Sequence, residues 1–471
     1  MSYSTKLNSI FKDSWHSPAI QAETLSLNYQ EFYIHANAVS EYLKSLSYKP
    51  GDSIAINLSN GPEYCIAYLA CILGNYIIVP VNIELTEEDQ NYIIKTTNPV
   101  FVINKEFNFF ELEFEEFIKP AFQDSKLEYD AIFFTSGTTG MPKGVCHSLD
   151  SLVENVTSFN KNMSLKDNVR MYHVLPMAYM AGFLNTILSP LIAGGCILVG
   201  PRFNPSNAMV FWDKAIKWNA NSIWLTPTLA AILIKFTRDQ SVKDKIKVSM
   251  DNIFCGTAPL SQSLRVNFLK TFSQPLQESF GMSEILLVSS QTRAEASKES
   301  NVGSILPELL VTKRMLDGQE ELLIKSPWSL KCYLIEGKTS SPLINDGFMP
   351  TGDIGEINEK KLSITGRIKD LIIRGGVNIM PASIENIIQS IPGVDDVAVI
   401  GLPHEFWGEQ ICVCVVINHK NDKDGALQDI KIIVNKKITN NMRPDKYIIL
   451  DEIPKNTNGK TLKNDLVARL K

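Results

Sequence analysis

No apolar run in this chain reaches the roughly 18 residues that a bilayer crossing needs, and the opening MSYSTKLNSIFKDSW lacks the apolar core of a secretion signal. Neither membrane insertion nor export is expected. A basic excess is missing too: 46 Lys and Arg stand against 51 Asp and Glu, a formal charge of −5. There is thus no electrostatic case for nucleic acid, and small molecules are the expected partners. Cysteine occurs eight times, at 65, 71, 146, 196, 255, 332, 412 and 414, without metal-ligand spacing and mostly in apolar runs. Reduced, buried thiols in a cytoplasmic protein are the economical reading. Cys412 and Cys414 sit in ICVCVVI, where alternate residues of a strand share a face, which points to packing rather than redox chemistry. Repeats and low-complexity segments are also absent.

What is present is an ordinary globular composition, 44% hydrophobic and 21% charged, and a length of 471 residues that suggests about three units of domain size. Short apolar runs alternate with helical patterns. SIAINLS (53–59) and YIIVPVN (76–82) read as strands around the helical EYCIAYLACILG, so the chain opens as a βαβ series of an α/β protein. DAIFFTS reads as a strand, and Ser148 as the cap of a helix whose Leu149, Leu152, Val153 and Val156 recur at helical spacing. The segment between them is therefore expected to link a strand to a helix. Strands SIWLTPT (222–228) and DNIF follow, the first leading into the helix TLAAILIKF. From about residue 366 a compact α+β unit is expected: Pro381 opens a helix with the stripe Ile384, Ile387, Ile388 and Ile391, Gly393 ends that stretch, and strands DVAVIGL and ICVCVVI come next. GRIKD (366–370), with Ile368 as its one apolar anchor, is the hinge candidate.

FFTSGTTGMPKG (133–144) concentrates glycines, hydroxyls and one lysine in a turn-prone segment. Gly137, Gly140 and Gly144 let backbone N–H groups converge on an anion with no Cβ in the way. Thr135, Ser136, Thr138 and Thr139 add hydroxyl donors, and Lys143 adds a positive charge. The pattern is a phosphate grip. The P-loop of nucleotide hydrolases needs Gly-Lys followed by Ser or Thr; here Lys143 precedes Gly144, so this is a different loop.

Residues 136–144 resemble the SGTTGxPKG signature of the adenylate-forming, or AMP-binding, superfamily: acyl-CoA and aryl-CoA synthetases, adenylation domains of peptide synthetases, and firefly luciferase. Five further matches follow in the family's order up to residue 460, so the resemblance covers nearly the whole chain. It implies a large N-terminal domain of βα subdomains with mixed sheets (1–366) and a small mobile α+β domain (367–471) turning about Lys369, the pivot position. In ESFGMSE (278–284) it implies that Ser279, Phe280, Gly281, Met282 and Ser283 lie along the nucleotide, with the Ser283 hydroxyl, where Thr is usual, on the α-phosphate and Glu284 holding Mg²⁺. Gly256, Thr257 and Ala258 of CGTAPL (255–260) match the adenine-side loop. Asp353 of TGD (351–353) matches the ribose-binding carboxylate, and Arg367 an arginine that contacts ribose and phosphates. Taken alone, CGTAPL and TGD would read as plain turns. Lys460, in NTNGK (456–460), matches the lysine that enters the site for adenylation, where one cation counts most as charge develops. Arg374, Gly375 and Gly376 of RGGVNI (374–379) match the loop presented to the thiol tunnel.

The implied reaction makes an acyl-AMP from a carboxylic acid and ATP, releases pyrophosphate, and transfers the acyl group to a thiol. Amino-acid-activating relatives place an aspartate near LPMAYMAGF (175–183) to pair the substrate ammonium; no acid stands there, and an unpaired buried ammonium is costly. Tyr179 occupies the position where CoA ligases often carry a gating His, and Met180 and Phe183 suggest an apolar lining. A fatty or aromatic acid is expected. The uninterrupted GRIKDLIIRGGVNI lacks the insertion typical of enzymes loading fatty acids onto carrier proteins, which favours coenzyme A. The short stretch between Gly303 and Asp346 keeps a phosphopantetheinylated acyl or peptidyl carrier protein as the alternative thiol. A catalytically dead nucleotide sensor would be expected to lose Lys143, Glu284, Asp353, Arg367 or Lys460. A light-emitting oxidase would share every motif.

Overall fold

The computed structural model describes residues 1–112, 119–135, 142–201, 203, 205–298, 301–316, 318–418, 423–455 and 461–470. Among these residues the strands form three sheets, of seven, thirteen and five strands. The first is built around parallel strands Ser53–Ile56, Ile77–Pro80, Phe101–Ile103 and Ala131–Thr135. The helix Pro62–Gly74 joins two of them; proline at its first position and left-handed Asn75 at its end mark its bounds. Ten of its thirteen residues are buried, so the helix runs inside the core rather than over it.

The phosphate-loop region departs from the expected strand-to-helix passage. Lys143–His147 is a strand, paired antiparallel with Ala131–Thr135 from Ala131 opposite His147 to Thr135 opposite Lys143. The helix Leu149–Met163 starts only after it, with Ser148 as cap. The loop is thus the tip of a hairpin. Valine, cysteine and histidine after Gly144 all bury, and a five-residue strand fits before the cap. Cys332–Ile335 then pairs on the outer side of Lys143–His147.

In the thirteen-stranded sheet, Arg170–His173, Ser222–Leu225, Asn252–Cys255 and Gln277–Met282 run parallel, in that spatial order. Leu225 lies beside Cys255, and Cys255 beside Glu278. The residues that follow these strands therefore emerge side by side at the carboxyl ends, where open α/β sheets bind ligands. Gln277–Met282 turns back into Leu286–Ser290, and antiparallel strands up to Lys361–Arg367 complete the sheet.

Strands within 372–449 form the third sheet. Alternation splits its residues between two cores: Ile411, Val413 and Val415 pack with Ile384, Ile388, Ile430 and Val434 of two helices, while Cys412 and Cys414 join Ala398, Ile400 and Leu466 on the other side. Each fully buried aliphatic side chain contributes roughly 1.5–3 kcal/mol. Pro381–Gln389 begins at Pro381 as expected but ends before Ile391, which buries from the following turn. All eight cysteines are buried and unbonded. No helix among the described residues is long and apolar enough to cross a membrane.

The hairpin 277–290 is anchored by buried Asn155, whose amide donates to the Leu287 carbonyl (2.9 Å) and accepts from its N–H (3.2 Å). Removing both partners strands two buried backbone groups. Asn155→Ala is expected to cost roughly 2–4 kcal/mol, read as a lower urea midpoint at unchanged m-value.

Candidate active site

The turn of the 277–290 hairpin lies against the strand Lys143–His147 and its neighbour Cys332–Ile335. Glu284 lies in the turn between Met282 and Leu286; its carboxylate Oε1 accepts a 2.7 Å hydrogen bond from the Tyr333 phenol, and its carbonyl accepts from Leu330 N–H (2.7 Å). The Lys143 ammonium stands 5.6 Å from the centroid of the same Tyr333 ring. On the other side of the turn, His147 reaches the Ser283 carbonyl at 2.7 Å. A carbonyl only accepts, so Nε2 carries the proton. The turn is tight: buried Leu286 takes φ +65°, a left-handed conformation that costs a branched residue about 1 kcal/mol or more. Gly281 makes room for it, since a Cβ there would approach the Leu286 carbonyl to 2.5 Å. Thr135 and Lys143 close the stem of the phosphate loop. Ser136, Gly137, Thr138, Thr139 and Gly140 lie outside the described residues.

Gly256, Thr257 and Ala258 leave the neighbouring strand end, with Thr257 at φ +70°. A side chain on Gly256 would collide with Ser279 Oγ at 2.7 Å and approach Trp224 Nε1 to 3.4 Å, so these three residues border one space. The loop is held from below: buried Glu278 accepts from Leu260 N–H and pairs with buried Arg265. Burial pushes the Glu278 carboxyl up to about 7 while Arg265 opposes it. Phe280 and Met282 pack partly against the main core. Asp353 follows Gly352, which takes φ +70° and donates its N–H to buried Glu321 (2.9 Å). Thr351 links the same turn to the Leu322 carbonyl and accepts from Asp353 N–H. Arg367 Nε donates to Asp353 Oδ1 at 2.7 Å, so the two nucleotide-side candidates are paired across adjacent strands.

The segment carrying Tyr179 is pinned along its length. Asn60 donates to the Leu175 carbonyl (2.7 Å) and accepts from Met177 N–H (2.9 Å), Tyr68 donates to the Met177 carbonyl (2.8 Å), and Asn82 donates to the Tyr179 hydroxyl (2.9 Å). Those bonds fix the Asn60 amide, whose nitrogen also contacts His173 Nε2 at 3.3 Å. An amide nitrogen only donates, so Nε2 accepts there and Nδ1 carries the proton. It gives that proton's hydrogen bond to Thr186 Oγ1 (2.6 Å), whose own hydrogen goes to the Gly182 carbonyl (2.7 Å). A π-helical turn, Leu184–Leu188, follows, a local form frequent at functional sites. Met180 and Phe183 are buried; Phe183 packs on Tyr68 (4.5 Å) and on Phe133 (5.3 Å), which leads into the phosphate loop.

Lys143 and Glu284 thus share Tyr333, while Gly256 lies beside Ser279 of the strand that leads to Glu284. A family model described as AMP-binding enzyme matches residues 12–334, and the AMP-binding enzyme C-terminal domain matches 383–460. The chain belongs to the AMP-binding enzyme family. It is similar to a long-chain-fatty-acid–CoA ligase, FadD13, of Mycobacterium tuberculosis, 27% identical over 96% of this chain and 95% of that one. It is likewise similar to the 2-succinylbenzoate–CoA ligase of Bacillus subtilis, 26% identical over 95% and 94%. Among solved structures, ATP-bound MatB from Rhodopseudomonas palustris superposes with TM-score 0.87 at 25% identity, covering 100% of this chain and 99% of that one. The chain is of the AMP-forming acid–CoA ligase type.

In this AMP-binding enzyme the RGG loop sits on the third sheet. Gly375 and Gly376 take φ +57° and +78°. Arg374 pairs with Asp445 at 2.5 Å, lies 5.3 Å over the Trp407 ring, and is followed by Gly375 N–H donating to the Trp407 carbonyl (2.8 Å). Lys369 is exposed in the single 3-10 turn Ile368–Asp370. Lys460 lies outside the described residues; Lys455 and Thr461, on either side of its segment, pair as a bridge.

Tyr333, His147, His173 and Asn60 were not found by sequence reasoning. Each acts through a partner far away in the chain, and none stands in a recognisable motif. Burial lowers both His147 and His173 to about 4, so both are neutral in the folded protein at pH 7. The unfolded chain, with ordinary histidines near 6.5, takes up these protons first. Their contribution to stability is complete above pH 6.5 and is lost as pH falls toward 4, by up to about 1.4 kcal/mol per pH unit for each. Between pH 7 and 5 the urea midpoint should therefore fall more steeply for the parent than for the His147→Gln/His173→Gln variant. Equal slopes would refute the assignment.

Proposed function

We propose that this AMP-binding enzyme joins ATP to an apolar monocarboxylic acid, fatty or aromatic, as an acyl-adenylate, releases pyrophosphate, and passes the acyl group to coenzyme A. The observation that carries the reading is the meeting of Lys143 and Glu284 at Tyr333, at the mouth of the glycine-rich loop. Lys143 and the loop 136–140 hold the β- and γ-phosphates, Ser283 donates to the α-phosphate, and Asp353 and Arg367 take the ribose side, exchanging part of their mutual bond for ribose hydroxyls. Gly256, Thr257 and Ala258 leave a flat space for adenine. Among the described residues no group of three or more His, Cys, Asp or Glu could hold a metal by itself. A single carboxylate, Glu284, fits Mg²⁺ that takes its remaining ligands from ATP oxygens and water. When bound, the metal neutralises charge on the departing pyrophosphate. Lys460 enters as the acid's oxygen attacks the α-phosphorus, offsetting charge in a site poor in water.

The acid's class follows from what surrounds its place. Segments 175–199, 222–234, 252–262 and 277–292 contain no Lys, Arg or His. Their two acidic residues are Glu278, paired with Arg265, and Glu284. A second carboxylate, such as 2-succinylbenzoate carries, would be buried here without a cation, and an α-ammonium without its anion. We place the boundary of the turning unit at 366/367 and its pivot at Lys369, so that one orientation presents Lys460 and the other Arg374, Gly375 and Gly376 to the thiol. A carrier-protein phosphopantetheine is the alternative acceptor, favoured by the short stretch between Gly303 and Asp346.

A pyrophosphate-release screen over fatty, aryl, dicarboxylic and amino acids is expected to respond to apolar monocarboxylates, with thioester formed on adding coenzyme A. Dependence on a dicarboxylate would overturn the substrate class. Lys460→Ala should abolish acid-dependent pyrophosphate release, at least about 100-fold as for loss of a charge-stabilising group, while leaving thiolysis of supplied acyl-AMP intact. Equal loss of both steps would contradict its role.

A further inference from the structure

We propose that Tyr333 is a positioning residue for magnesium-bound ATP, orienting Glu284 through its hydroxyl and steadying Lys143 with its ring. The inference rests on the ATP-binding reading above. Tyr333 is the middle of the strand Cys332–Ile335, whose Cys332 and Leu334 point into a buried cluster with Ile132 and Cys146. Alternation therefore turns Tyr333 to the opposite face, where it lies beside Val145 in register and reaches across to the 277–290 hairpin. A carboxylate only accepts, so the phenol is the donor in the 2.7 Å bond. Holding Oε1 fixes the plane of the carboxylate and leaves Oε2 for a metal. The same ring lies 5.6 Å from the Lys143 ammonium, within range of a cation–π attraction. One side chain thus couples the distance between the phosphate-binding cation and the metal-binding anion. Mere packing would need only the ring.

The test is ATP binding without acid, so that no turnover occurs, measured by calorimetry across a range of Mg²⁺ concentrations and in EDTA. Tyr333→Phe keeps the ring and removes the hydroxyl. The Mg²⁺ concentration for half-maximal ATP binding should rise about tenfold, the size expected for one hydrogen bond to a charged group. Affinity for metal-free ATP should stay within about twofold, because the ring under Lys143 remains. Tyr333→Leu, which also removes the ring, should weaken metal-free ATP by roughly threefold. If wild-type protein binds Mg–ATP and Tyr333→Phe leaves its Mg²⁺ dependence unchanged, this role for Tyr333 is wrong and the ATP reading stands. If wild-type protein binds no nucleotide, both fall.

Discussion

The contact on which the rest depends is the one between the turn that carries Ser283 and Glu284 and the strands Lys143–His147 and Cys332–Ile335 of another sheet. The turn is not positioned by its own sheet alone. Tyr333, His147 and the Leu330 N–H tie it to the other sheet, and Asn155 ties its strands to the helix that follows Lys143–His147. A strained Leu286 and a glycine at 281 are what the tight turn requires, and the surrounding bonds hold that strain in place. The result is a cation and a carboxylate at a set separation, which suits a substrate that brings both phosphates and a metal.

The acid side obeys a different logic. Its segment is apolar and would collapse if its backbone polar groups were not satisfied, so a ring of amides and hydroxyls supports it from behind. Asn60, Tyr68, Asn82 and the His173–Thr186 pair supply that support. Neutral His173 serves as a relay with one donor and one acceptor nitrogen, which a lysine, a donor only, does not reproduce. Specificity in such a pocket comes from shape and from the absence of charge. In the proposed reaction polar machinery and selective surface are separated: Lys143, Glu284, Asp353 and Arg367 would serve the nucleotide, and the segments without cations would face the acid.

Much of this was legible in the sequence because the chemistry is local there. The glycine-rich loop, CGTAPL, ESFGMSE and TGD each place their candidate groups within a few residues; CGTAPL follows the strand Asn252–Cys255 as expected, whereas TGD, read alone as a turn, lies within the strand Phe348–Asn358. The helix opened by Pro381 and the shared face of Cys412 and Cys414 were also readable from position and alternation. Lys143–His147 was missed as a strand because its five residues are too short for periodicity to show, and the capping signal at Ser148 drew attention past them. Tyr333, His147 and His173 were illegible for another reason. Their partners, Glu284 and Ser283 in a turn and Thr186 in a π-helical segment, become neighbours only when separate elements pack against each other, and one sequence carries no sign of that packing.

In the proposed reaction ATP is cleaved between its α- and β-phosphorus atoms at this junction to activate an organic acid. Phosphorus NMR of purified protein with ATP, magnesium, coenzyme A and a mixed library of apolar monocarboxylic acids tests it without ambiguity. AMP and pyrophosphate are expected in equal amounts, formed only when acid is present. Release of ADP and inorganic phosphate, or intact ATP with every acid supplied, would contradict it.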